Sequence, residues 1–179
     1  MLRSFVLLSI LLFPIFSVAK NVTPINSSNW IYHPSIKEIR SIYNDIQKKK
    51  SNYKFSVLEK KFDYCKPYED TERKLFLDRF HIPRYYSYSG GSDDSAITWQ
   101  FYYDSSGKLR FAFITAAAVN STEIQHRIYF NKNGHRIWEM QKLKGPGYTF
   151  PTGYWPDSDL VHFPKQQFYS KNPCPEIKK

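Results

Sequence analysis

The sequence predicts an α+β fold, in which an N-terminal amphipathic helix packs on a curved antiparallel β-meander of about six strands and a C-terminal wrap closes the domain. Three observations predict it. Residues 35–50 repeat apolar side chains at three- and four-residue spacing, and residues 72–143 alternate apolar and polar between evenly spaced turn residues. Residues 145–179 carry six of the eleven prolines, interleaved with aromatics.

Residues 1–19 read as an export signal. Arg3 supplies the positive start, Phe5 to Phe16 an apolar run broken by Ser9 and Pro14, and Ser17-Val18-Ala19 a small-residue cleavage site. The run is short for a bilayer span, and no later stretch approaches the ~20 apolar residues that a spanning helix needs. The expectation is an exported protein, periplasmic or secreted, that is not membrane-embedded. Residues 20–179 then form a single α+β domain, a size that suits one hydrophobic core.

Residues 20–34 are polar, with Pro24 and Pro34, and read as an irregular lead-in. The helix follows. Ser35 and Glu38 form a capping-box pattern, and Ile36, Ile39, Ile42, Tyr43 and Ile46 make the apolar stripe. Lys48-Lys49-Lys50 falls in the last turn, where cations complement the negative end of the helix dipole, so the run needs no nucleic-acid role. Phe55, Val57 and Phe62 then suggest a strand or extended approach to Cys65.

The meander rests on three segments that align without gaps. Leu75 to His81, Phe101 to Gly107 and Ile128 to Gly134 each run from an apolar strand end into Asp/Asn-x-x-His/Gly. Asp or Asn bonds the turn backbone, and the fourth residue takes a left-handed conformation, which Gly adopts freely and His tolerates. Asp78, Asp104 and Asn131 lie 26 and 27 positions apart, the spacing of a repeated hairpin. The strands are predicted near 72–77, 83–88, 97–103, 109–118, 124–130 and 136–143, although Thr71 to Phe80 also suits a second helix. This helix-then-meander order resembles the arrangement of cystatin-like secreted binding and inhibitor modules, which would imply a similar architecture.

The two-residue period sorts the side chains. Ile97, Trp99, Phe101, Tyr103, Leu109, Phe111, Phe113, Ile128, Phe130, Trp138 and Met140 are predicted to form the core face under the helix. Tyr86, Tyr88, Thr98, Gln100, Tyr102, Arg110, Gln125, Arg127, Tyr129 and Glu139 form the opposite, polar and basic face. Tyr86, Tyr102 and Tyr129 could stack on a ligand, with Arg110 and Arg127 holding a carboxylate or phosphate. Those five are the candidate binding residues; cross-strand pairing or coverage by the C-terminal wrap would also explain them.

Cys65 and Cys174 are the only cysteines. In an exported chain they read as one disulfide, which would stabilise by on the order of 4 to 5 kcal/mol through loop closure. The formal charge of +10 favours anionic partners.

Catalytic and cofactor motifs are missing: there is no Gly-x-Ser-x-Gly, His-Glu-x-x-His, phosphate loop or dinucleotide fingerprint. Ser105-Ser106-Gly107-Lys108 matches Ser-x-x-Lys but falls on a turn without its companion motifs. Asp93-Asp94 reads as a solvated turn, and His126 as a structural histidine. The leading expectation is a non-enzymatic binding or inhibitor module for an anionic envelope component, polysaccharide or protein, with no cofactor and no metal. The rival is a hydrolase or metal-dependent enzyme assembled from Asp93, Asp94, His126 and His135. Nucleic-acid binding ranks third, because an exported protein seldom meets it.

Overall fold

The sheet is built from a repeated turn. The structure, a computed structural model, describes residues 23–63, 65, 70–148 and 162–170; the leader at 1–19, Cys174 and most of the C-terminal wrap lie outside them. Helix α1 (Pro34–Ser51) is followed by β1 (Ser56–Phe62), β2 (Asp70–Leu77), β3 (Pro83–Gly91), β4 (Ser95–Tyr103), β5 (Leu109–Ala118), β6 (Glu123–Phe130) and β7 (Arg136–Lys144), and by the short helix α2 (Pro164–Tyr169). The strands form one antiparallel sheet in sequence order. It has seven strands, where about six were expected. The extra one is β1, the segment read as an approach to Cys65, and Thr71 to Leu77 is strand throughout. No helix of the described residues is long and apolar enough to cross a membrane.

The three aligned turns are built alike. In each, the N–H of the fourth residue donates to the carbonyl of the first: His81 to Asp78 at 2.8 Å, Gly107 to Asp104 at 3.0 Å, Gly134 to Asn131 at 3.1 Å. The Asp or Asn side chain accepts from two backbone N–H groups further on, for example Ser106 at 2.9 Å and Lys108 at 3.0 Å for Asp104. The fourth residue is left-handed in all three, with φ of 59°, 77° and 82°. His81 bears that conformation with a Cβ, so His81→Gly should raise stability by about 0.5–1 kcal/mol. A shift in urea midpoint at unchanged slope measures it; a loss would mean that the imidazole makes a compensating contact.

Each turn is followed by a one-residue bulge, which the sequence reading did not anticipate. Tyr102 pairs with Phe111 but Tyr103 with Leu109, leaving Arg110 extra; Phe76 pairs with Tyr85 but Leu77 with Pro83, leaving Arg84 extra; and Tyr129 pairs with Trp138 but Phe130 with Arg136, leaving Ile137 extra. A bulge moves every later side chain to the other face. Leu109 and Phe111, assigned to one face by simple alternation, therefore lie on opposite faces.

This corrects the predicted core. The helix side of the sheet carries Tyr85, Tyr102, Phe111 and Tyr129, packed with Ile36, Ile39 and Ile46 of α1. The other side carries Tyr86, Tyr88, Ile97, Trp99, Phe101, Tyr103, Leu109, Ile128 and Phe130, packed with Phe168 of α2. Both faces are buried over much of the sheet.

The bulge arginines fasten the helix across the strands. Arg84 is buried, donates from Nε to the Tyr103 carbonyl at 3.3 Å, and lies 3.7 Å from Asp78 and 3.8 Å from Asp45 of α1. Arg110 repeats this one hairpin on, with the Phe130 carbonyl at 3.2 Å, Asp104 at 3.6 Å and Glu38 of α1 at 3.3 Å. Glu38 and Asp45 are two helical turns apart, about 10.5 Å along the axis. Two strand spacings measure about 9.6 Å, so successive hairpins meet successive pairs of turns. Glu38 is thereby diverted from the expected capping box. The N-cap is His33: its Nδ1 accepts from the Ser35 N–H at 3.2 Å, which leaves Nε2 to donate to the Thr23 carbonyl at 3.0 Å.

At the other end of the chain, α2 is tied to the sheet by Lys60 Nζ donating to the Phe168 carbonyl at 3.0 Å and Arg73 to the Gln167 carbonyl at 2.9 Å. Cys65 is fully buried, and no free cysteine occurs among the described residues. Its pairing with Cys174 is a proposal, since Cys174 lies outside the described residues. Intact mass should show alkylation of two thiols only after reduction; two thiols alkylated without reduction would refute the pairing.

Candidate functional site

The five sequence candidates do not form one open surface. Tyr86 is fully buried on the α2 side of the sheet, stacked on Phe101 at 6.2 Å. Tyr102 is fully buried on the opposite side under α1, its hydroxyl donating to Gln100 at 3.0 Å. Arg110 is the buried bulge residue already described. The exposed Tyr/Arg face expected from alternation is therefore replaced by core at four of its five positions, Tyr129 being buried on the helix side as well. Arg127 and Tyr129 do come together, on the helix side of β6, beside a pocket of about 250 Å³.

That pocket lies on the flank of α1 away from the hairpin turns. Ile39, Arg40, Tyr43 and Asn44 supply the helix wall, and Phe111, Phe113, Arg127 and Tyr129 the sheet wall. Helical spacing explains the first set: Arg40 and Asn44 are four apart and share one flank, whereas Glu38 and Asp45 face the turns. Register explains the second set. Phe111 pairs with Tyr129 and Phe113 with Arg127, so two aromatic–polar pairs stand side by side across β5 and β6.

The floor is aromatic. Phe111 lies 4.9 Å from Tyr129 and 6.3 Å from Phe113, the latter pair nearly parallel at 13°, and Tyr43 meets Phe111 edge-on at 5.7 Å. Arg127 holds its guanidinium 4.7 Å from the centre of the Phe113 ring and donates to Gln125 Oε1 at 2.9 Å. These two contacts hold the guanidinium and leave further N–H groups for a ligand. Arg40 stands exposed across the pocket.

The electrostatics are one-sided. No Asp or Glu lines the pocket, and neither Arg40 nor Arg127 forms an ion pair among the described residues, whereas Arg84, Arg110 and Arg136 each face a carboxylate. Burial pushes the Tyr129 phenol up, and the Arg127 and Arg40 guanidiniums pull it partly back. A second notch, of about 520 Å³, surrounds Arg84 and Arg110, but Glu38, Asp45 and Asp104 line it too and balance those cations.

The residues of the enzymatic alternative are spread out. Asp94 sits in the β3–β4 loop, accepting from the Tyr148 hydroxyl at 2.7 Å and from Ser92 at 2.9 Å. Those bonds hold its carboxyl below the usual range. His126 is buried within β6, Nε2 to Glu139 at 2.6 Å. His135 closes the β6–β7 turn, at the opposite end of the sheet from the β3–β4 loop. A strand the length of β6 separates those ends by about 26 Å. Among the described residues, no group of three or more His, Cys, Asp or Glu side chains is placed to hold a metal ion.

Sequence reasoning missed Arg40, Tyr43, Asn44 and Phe113. The first three are ordinary helix residues, and only the crossing of α1 over β5 and β6 brings them to Arg127. No family model, curated protein or solved structure matches the chain.

Proposed function

We propose that the protein is an exported, non-enzymatic binding module that holds an anionic group of an envelope component, polysaccharide or protein partner in the α1–β5–β6 pocket. One observation carries this reading: Arg40 and Arg127 flank an aromatic floor with no acidic side chain in the lining. Guanidinium groups without a counter-ion attract a carboxylate or phosphate, and a partly enclosed, apolar setting strengthens the bond over its value in water. Export, to the periplasm or outside the cell, remains part of the proposal and rests on residues 1–19.

Capture from envelope and secreted fractions tests the reading, with the purified protein compared with Arg40→Gln/Arg127→Gln. The wild type should retain a component at high salt that the double variant loses. Equal retention by both would remove the pocket from consideration. Arg110 is unsuitable for this experiment, because it is buried and ties the sheet to α1, so its loss should damage the fold.

A further inference from the structure

We infer that the ligand of this pocket is a carboxylated sugar ring, one acidic unit of a polysaccharide, a conclusion that rests on the anion-binding reading above. Four features of the site converge on that class.

The cations are both arginines, with no lysine in the lining. A planar fork of N–H donors matches the two oxygens of a carboxylate, whereas an ammonium acts as a point charge. The floor is apolar, lined by Phe111, Phe113 and the adjoining Tyr129. Such a surface takes the C–H face of a pyranose, as it would take another flat ring.

The rim supplies the complement of ring hydroxyls. Tyr43 accepts from Gln47 Nε2 at 3.1 Å, so its own phenolic hydrogen is left to donate. The Asn44 amide offers two donors and an acceptor beside it. A bare phosphate or an aryl acid would leave these groups to water, while a polyhydroxylated ring can bond them directly.

Size and access agree. The volume of about 250 Å³ falls below the range typical for drug-sized ligands and suits a single ring. Arg40 and Asn44 are exposed and Arg127 and Phe113 half-buried, so the mouth opens along the protein surface. A ring can enter while its neighbours in a chain continue outside.

The test is calorimetric titration of the purified protein with oligogalacturonate, its methyl ester, dextran sulfate and poly-glutamate, each at low and high salt. Oligogalacturonate should bind and keep measurable affinity at high salt. Its neutral ester should bind at least roughly tenfold more weakly, since the two charge-assisted contacts are lost. Arg127→Lys should lose a similar factor although the charge is kept, and circular dichroism of each variant checks that it is folded.

Two outcomes overturn the inference separately. Equal or tighter binding of dextran sulfate or poly-glutamate, abolished by Arg40→Gln/Arg127→Gln, would keep the anion site and refute the sugar. Absence of binding to all four, or binding unchanged in the double variant, would refute both.

Discussion

Replacing Tyr102 with alanine should lower the unfolding free energy by about 3–5 kcal/mol, the usual range for deleting a large buried ring. The ring has no exposed surface and lies 4.9 Å from Tyr43, 5.1 Å from Tyr85 and 5.5 Å from Phe111. Its loss would leave a void between α1 and the middle of the sheet, where the helix cannot settle without breaking its ion pairs to β3 and β5. Tyr102→Phe keeps the ring and removes only the bond to Gln100, so it should cost about 1 kcal/mol. Urea unfolding measures both. If Tyr102→Ala costs less than about 1 kcal/mol, α1 does not rest on this face of the sheet.

The second large effect belongs to Arg110. Arg110→Met keeps most of the buried stem but strips the charge, leaving the Phe130 carbonyl without its side-chain donor and Asp104 without its counter-charge. A loss of about 2–4 kcal/mol is expected, near the range for breaking a buried pair and reduced because Glu38 can turn to water. Arg127→Met, at a half-exposed residue that among the described residues contacts Gln125 and the Phe113 ring and no carboxylate, should cost under about 1 kcal/mol. Equal losses at the two positions would refute the distinction between a structural and an available arginine.

Acid should expose the same network. Burial alone would raise the Asp104 carboxyl, but hydrogen bonds from Ser106 and Lys108, with the Arg110 guanidinium, hold it below the usual range. Glu38 is lowered too, against its partial burial, by Arg110 and Lys132. A carboxyl depressed on folding contributes stability that is present above its unfolded value, near 4, and lost as pH falls through the folded value. Wild-type stability should therefore fall as pH drops below about 4. In Arg110→Met the slope there should be shallower.

Much of the sheet was legible in the chain because turns are local. Asp78, Asp104 and Asn131, with His81, Gly107 and Gly134, mark the three tight hairpins, down to the left-handed histidine. The faces were not legible by alternation alone, since one bulge per hairpin reverses the count. A clue was nevertheless present: Arg84 and Arg110 each stand six residues after a turn aspartate. The near-continuous apolar run Phe111 to Ala118 was another, since a strand covered on both sides has no need to alternate. The pocket was the least legible part. Arg127 and Tyr129 were picked out by period, but their partners on α1 depend on where the helix crosses, a long-range fact that no local pattern encodes.

The match between helix rise and strand spacing also governs how such a molecule could lengthen. Each added hairpin of about 26 residues would call for seven more residues of α1, and the helical step exceeds the sheet step by about 0.9 Å each time. After two additions the accumulated offset would exceed one residue's rise, and a straight helix would fall out of phase with its arginines. The third hairpin already departs from the scheme: Ile137 occupies the place of Arg84 and Arg110, and Trp30, ahead of the helix, stacks on Trp138 at 6.3 Å. Here a greasy contact, indifferent to small misalignments, takes over from a charge pair that tolerates few. The architecture is thus a vernier with a short scale, and its modular units are not free to multiply.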